Sequence, residues 1–137
     1  MKIVSACLAG LKCAYDGQDR AHSKVIELVK KGEAIPVCPE QLGGLPTPRI
    51  PSERSNKKVI NREGIDVTEN FEKGAREALK LTRMARCESA IVKSRSPSCG
   101  YGKIYDGTFS GKLIKGNGVF VDLLLEEGIK IVTEEEL

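Results

Sequence analysis

The chain has 137 residues, a net charge of +3 and 40% hydrophobic residues, which suits one domain with its own core. So mild a charge is compatible with an anionic small molecule and too weak to argue for a nucleic-acid footprint. No apolar run approaches the roughly 18 residues of a membrane helix, and the N-terminus lacks a signal-peptide core, so a cytoplasmic protein without membrane partners is expected. In that compartment the five cysteines read as thiols or metal ligands rather than disulfides. The single histidine, His22, excludes Cys/His zinc fingers and metal sites with several histidines.

Residues 2–7 read as a short, buried, β-branched strand, broken by Leu8-Ala9-Gly10. Turn-forming residues fill 14–19. Val25, Ile26, Leu28 and Val29 make a helical stripe between His22 and Lys31, and Gly32 sits where a helix C-cap belongs. Residues 34–38 form a second strand. A long loop follows over 39–57, rich in Pro and Gly; loops of this length inside a compact domain are usually functional or disordered. Residues 58–66 form a short hairpin or extended segment. Thr68 or Asn70 caps a long helix running to about Arg86, with Phe71, Ala75, Ala78, Leu79, Thr82 and Met84 near its inward face. Residues 89–94 are a third strand. Asp106-Gly107 signals a hairpin turn within 101–114. After a Gly116-Asn117-Gly118 turn comes a helix over 119–126, ended by Gly128, and a last strand over 129–132. This alternation predicts an α/β fold, with a parallel sheet covered by helices on both faces.

Cys7, Cys38 and Cys99 each fall at or just past the carboxyl end of a predicted strand. Ligands of open α/β sheets collect outside those ends, so three thiols far apart in sequence can meet at one edge. Clustered thiolates suit iron or zinc. Three sulfurs rather than four leave one coordination position open, as in a reactive centre. The competing reading is a small buried hydrophobe, the commonest role of a free cysteine. Neighbouring Gly and Pro favour the site, because they occur where backbone passes close to something else.

The loop Ser94-Arg95-Ser96-Pro97-Ser98-Cys99-Gly100 is dense in donors for an anion or for cluster sulfurs; otherwise it is a plain turn. Cys13 is open as a fourth ligand, a redox partner or neither, and Cys87 reads as core or surface. Glu40, two residues beyond Cys38, is placed to move protons near a metal site, or is a solvated loop acid. Arg49, stiffened by Pro48 and Pro51, could clamp an anion or planar heterocycle, or be a surface charge. Ser96 and Ser98 could position a substrate or cap the turn. No Gly-x-Gly-x-x-Gly or Gly-Lys-Ser/Thr run marks a nucleotide site.

Taken together, Cys7-Leu8-Ala9-Gly10 with Cys13-x-Tyr15-Asp16-Gly17, Cys38-Pro39-Glu40-x-x-Gly43-Gly44-Leu45 with Pro48-Arg49, and Ser96-Pro97-Ser98-Cys99-Gly100-Tyr101-Gly102 with Tyr105-Asp106-Gly107-Thr108-Phe109-Ser110-Gly111 resemble the short thiouracil desulfidases, long catalogued as a domain of unknown function. The resemblance covers nearly the whole chain. It implies a single Rossmann-like three-layer domain over residues 1–137, carrying a [4Fe–4S] cluster on Cys7, Cys38 and Cys99. The fourth iron is then free for the sulfur of a thiolated pyrimidine. Glu40 matches the family's acid, and Ser98 or its neighbour Ser96 matches the serine of the last motif. The implied reaction is non-redox desulfuration of a 2-thiouracil-like base, with release of sulfide. The substrate-binding residues expected beside the catalytic Glu40 and Ser98 are Arg49 and Ser96. Some relatives carry a second C-terminal domain and act on thiolated nucleotides or tRNA; without it, a small thiolated nucleobase is the expected partner and nucleic acid is not. Two alternatives compete: a sulfide or metal carrier without hydrolytic activity, and a structural metal-binding thiol protein in which Cys13 completes a four-sulfur site.

Overall fold

The computed structural model describes residues 1–137. The chain opens with β1 (Lys2–Ser5), a 3₁₀ turn (Ala6–Ala9), α1 (Ser23–Lys30), β2 (Ala34–Val37) and the short α2 (Pro39–Leu42). A hairpin of β3 (Ser52–Ser55) and β4 (Lys58–Asn61) precedes α3 (Thr68–Met84) and β5 (Ser89–Val92). A second hairpin, β6 (Lys103–Tyr105) and β7 (Leu113–Lys115), leads to α4 (Val119–Glu126), β8 (Lys130–Thr133) and a final 3₁₀ turn (Glu134–Glu136).

Strands β2, β1, β5 and β8 form, in that order, a four-stranded parallel sheet. Side chains alternate across it with the two-residue period of a strand. Ile3, Val37, Ala90, Val92 and Ile131 face α3 and α4, where they pack against Ala75, Ala78, Leu79, Phe120, Val121 and Leu124. Val4, Ala34 and Ile91 face the other way, toward Leu8 and Val25 of α1. The result is the expected three-layer α/β arrangement, its central strands buried on both faces as parallel sheets require. Each fully buried Ile, Leu, Val or Phe contributes roughly 1.5–3 kcal/mol relative to exposure.

From β1 the chain moves outward to β2 through α1. From β5 it moves outward in the opposite direction to β8 through α4. The direction therefore reverses between β1 and β5, and the crevice at their carboxyl ends is where such sheets bind ligands.

Several local expectations need correction. The 39–57 segment is not one loop: it holds α2 and β3. Pro39 occupies the first turn of α2, where its missing N–H has no partner to lose. The Ser52–Ser55 strand is polar throughout, so alternation of apolar residues could not reveal it. The hairpin expected around Asp106-Gly107 is present, closed by a loop longer than two residues. Tyr105 pairs with Leu113, and Asp106 Oδ1 accepts from Thr108 N at 2.9 Å inside that loop. Thr68 does not cap α3. Its hydroxyl accepts from Val59 N at 2.9 Å, while Asp66 Oδ1 accepts from Thr68 N. Met84, the last residue of α3, is 75% exposed rather than inward-facing. No helix is long and apolar enough to cross a membrane.

Candidate functional site

The crevice opens into a cavity of about 530 Å³. Cys7 reaches it from the 3₁₀ turn after β1, Cys38 from the end of β2, and Cys99 from the loop after β5. Cys38 precedes Pro39, which disfavours helical backbone at the residue before it and leaves Cys38 extended at φ −121°. Behind it, α2 lies against α3 at a distance only glycine permits. A Cβ on Gly74 would stand 1.7 Å from Pro39 O, and one on Gly43 would stand 2.0 Å from Asn70 O. This close approach seats both Cys38 and Glu40 at the rim.

Cys99 is held by its own loop. Ser96 Oγ accepts from Cys99 N at 3.0 Å and from Ser98 N at 3.2 Å. The base of that loop is tied to the C-terminal turn: Glu134 accepts from Ser94 N at 2.7 Å, Ser94 Oγ at 2.8 Å and Lys93 Nζ at 3.0 Å.

The sulfurs feel one another. Burial pushes the Cys7 thiol up to about 11, and the neighbouring Cys38 adds to the effect. Burial likewise pushes Cys99 up to about 12, with Cys7 and Cys38 contributing. Cys38 moves the other way. The neighbouring Cys13 thiol holds it well below an ordinary thiol, against the opposing effect of burial, and the Cys38 sulfur lies 3.8 Å from Cys13 O. The same pairing with Cys38, together with burial, shifts Cys13 upward. Cys13 is buried and lines the same cavity.

Glu40 lies between two partners. Its Oε1 accepts from Arg49 Nε at 2.8 Å, and its Oε2 accepts from Ser98 Oγ at 2.7 Å. Ser98 Oγ is in turn 3.0 Å from Ser96 Oγ and 3.7 Å from Cys99 Sγ. A continuous polar chain thus joins Arg49 to a site cysteine. The other Arg49 donors also point inward, to Thr47 Oγ1 at 2.9 Å, Cys13 O at 2.8 Å and Pro46 O at 3.2 Å. Only 6% of the Arg49 side chain is exposed.

The structure therefore gathers Cys7, Cys38, Cys99, Glu40, Arg49, Ser96 and Ser98 around one cavity. Cys87 lies apart, in the core under α3 and α4. The two hairpins add a wall the sequence did not reveal, with Glu53, Arg62, Tyr105 and Phe109. No three His, Cys, Asp or Glu side chains are gathered tightly enough for a single metal ion. What the cavity offers is four thiols, those of Cys7, Cys38 and Cys99 and that of Cys13, which is engaged with Cys38. Burial and mutual repulsion keep Cys7 and Cys99 protonated, and a cationic guest removes that penalty. A multi-iron cluster on three cysteines fits this donor set.

Comparison with known proteins places the chain. It is 41% identical over 147 aligned positions to the uncharacterised protein YbbK of Bacillus subtilis strain 168, with all of this chain and 97% of the relative covered. A solved structure, the [4Fe-4S]-dependent thiouracil desulfidase TudS, superposes with a TM-score of 0.94 at 43% identity. That match covers 98% of this chain and 91% of the other. The family model for 2-thiouracil desulfurase matches residues 3–136. With nearly every residue accounted for, the chain belongs to the 2-thiouracil desulfurase family.

Proposed function

We propose that the protein is a [4Fe–4S]-dependent thiouracil desulfidase, which replaces the sulfur of a thiolated pyrimidine with oxygen from water and releases sulfide without net electron transfer. The observation that carries this reading is the hydrogen-bonded Glu40–Ser98 pair, on the same cavity as Cys7, Cys38 and Cys99. The three cysteines hold the cluster. When bound, it supplies an iron without a cysteine ligand, a Lewis acid for the substrate sulfur.

The chain's own residues do the rest. Ser98 Oγ, between Glu40 Oε2 and the cavity, is placed to pass a proton between the carboxylate and a substrate or water. Glu40 takes the proton of the attacking water or returns one to the ring. Arg49 touches Glu40 rather than open space, so its role is to orient the carboxylate and the Cys13 backbone. Ser96 fixes Ser98 and Cys99 together through its single hydroxyl. This arrangement shapes the pocket that receives the base.

The test is iron and acid-labile sulfide content on protein reconstituted without oxygen, followed by turnover of 2-thiouracil to uracil. Equal iron and sulfide with stoichiometric uracil is the expected result. A protein that holds only zinc, or that binds sulfide and forms no uracil, returns the reading to a structural thiol protein or a sulfide carrier.

A further inference from the structure

Phe109 is the one phenylalanine outside the core. The chain has three phenylalanines and no tryptophan, and Phe71 and Phe120 are each only 1% exposed. Phe109 is half-buried, belongs to none of the three apolar clusters, and lines the same cavity as the thiols. An aromatic ring at that position has a cause other than core packing.

Its backbone is held in an unfavourable conformation. Phe109 has φ 56°, in the left-handed region that a bulky residue rarely adopts without strong support. The support comes from Glu53 on β3. This buried carboxylate turns Oε1 onto Gly107 N and Phe109 N, each at 3.0 Å. Two loop N–H groups are thereby fixed by one charge, and charged acceptors make the stronger hydrogen bonds.

The ring itself is held by Arg62. The guanidinium carbon lies 5.4 Å from the ring centroid, within the range of a cation–π contact. No carboxylate lies within ion-pair distance of Arg62, so no ion pair competes with its contact to the ring. Arg62 also lines the cavity. Two hairpins thus cooperate to present one rigid aromatic surface to the cavity.

We infer that Phe109, pinned by Glu53 and backed by Arg62, is the stacking platform that selects a planar heterocycle over a non-planar thiocarbonyl compound of similar polarity. This inference rests on the desulfidase reading for its substrate and on separate geometry for its residue. Aromatic side chains stack on planar bases through their faces and tolerate variation at the base edges. Selectivity of the platform is accordingly for ring planarity, while the edges of the base are left to the Glu40 side.

Two variants test it. In cluster-loaded enzyme, Phe109→Leu raises KM for 2-thiouracil about tenfold with kcat within about twofold, at unchanged iron content. In the full chain without cluster, Phe109→Trp installs the only tryptophan. Uracil quenches its emission saturably, and dihydrouracil, with the same amide edge on a puckered ring, quenches it at least about tenfold more weakly. Equal quenching by the two ligands, no saturable quenching by uracil, or an unchanged KM in Phe109→Leu overturns the platform. If wild-type loaded enzyme forms no uracil while the fluorescence still discriminates the two rings, the platform stands and the desulfidase reading falls.

Discussion

Arg49 and Glu40 form an ion pair of 2.8 Å, with side chains only 6% and 13% exposed, and its remaining carboxylate oxygen is taken by Ser98 at 2.7 Å. A charge pair this deep is held by geometry, because desolvating it offsets much of the attraction between the two groups. Its value to the protein is orientation: one oxygen fixed, the other presented through a hydroxyl to the cavity.

Removing the carboxylate's charge separates proton transfer from cluster binding. Glu40→Gln keeps the size of the side chain and is expected to lower kcat about 10²–10⁴-fold, with iron and sulfide content intact. Full turnover in this variant would remove Glu40 from the proton path.

Arg49→Lys keeps the charge and loses the planar fork that reaches Glu40, Thr47 and the Cys13 carbonyl together. We expect it to bind cluster normally and lose about 10–100-fold in kcat, while Arg49→Ala is destabilised by about 3–5 kcal/mol through the unpaired buried carboxylate. Thermal unfolding alongside steady-state kinetics distinguishes the two. A Lys variant with wild-type kcat would mean that Arg49 supplies charge alone.

Cys38 is expected to be the reactive thiol of the cluster-free protein. Its ionisation is shifted below the ordinary thiol value of about 8.5, so at pH 7 it carries thiolate, whereas Cys7 and Cys99 are shifted to about 11 and about 12 and remain protonated. Iodoacetamide at pH 7 should label Cys38 first. Cys13→Ala removes the thiol neighbour that holds Cys38 low and should slow the labelling at pH 7 while changing it little at pH 10. Peptide mass mapping against time reads both effects, and first labelling at Cys7 would contradict them.

The approach of α2 to α3 gives a packing prediction. Gly74→Ala forces a methyl against the Pro39 carbonyl, where the separation would be 1.7 Å. Overpacking of a rigid contact costs roughly 1–3 kcal/mol, sometimes more. Because α2 carries Glu40 and follows Cys38, cluster retention should fall with stability. A Gly74→Ala protein with unchanged Tm and iron content would show that α2 is free to move.

The C-terminal tie gives a pH prediction. Burial raises the Glu134 carboxyl, but bonds from Ser94 N, Lys93 and Ser94 Oγ outweigh it and hold the group below the usual carboxylate range. A depressed carboxylate contributes stability that is present above its unfolded value of about 4.3 and is lost as pH falls through the folded value. The Tm difference between wild type and Glu134→Gln should therefore be full near pH 7 and shrink below about pH 4. A difference independent of pH would assign the effect to packing alone.

The sequence by itself determined the three-layer α/β class, because β-branched runs and amphipathic helical stripes alternate along it and each carries its own period. It also determined which three cysteines follow strands, since strand ends are local events marked by Gly, Pro and Ser. What joined those strand ends was decided only by tertiary structure. The strand order β2-β1-β5-β8, with its reversal between β1 and β5, is a long-range choice that no local pattern encodes. Arg49 read as a clamp for an anion or planar heterocycle or as a surface charge, and only the fold turned it onto Glu40. The hairpin wall was hidden for the same reason: Ser52-Glu53-Arg54-Ser55 has no apolar period, and Glu53 is buried because distant loop N–H groups at Gly107 and Phe109 require an acceptor. Local chemistry sets each element, whereas the contacts between elements follow from how their buried faces pack together.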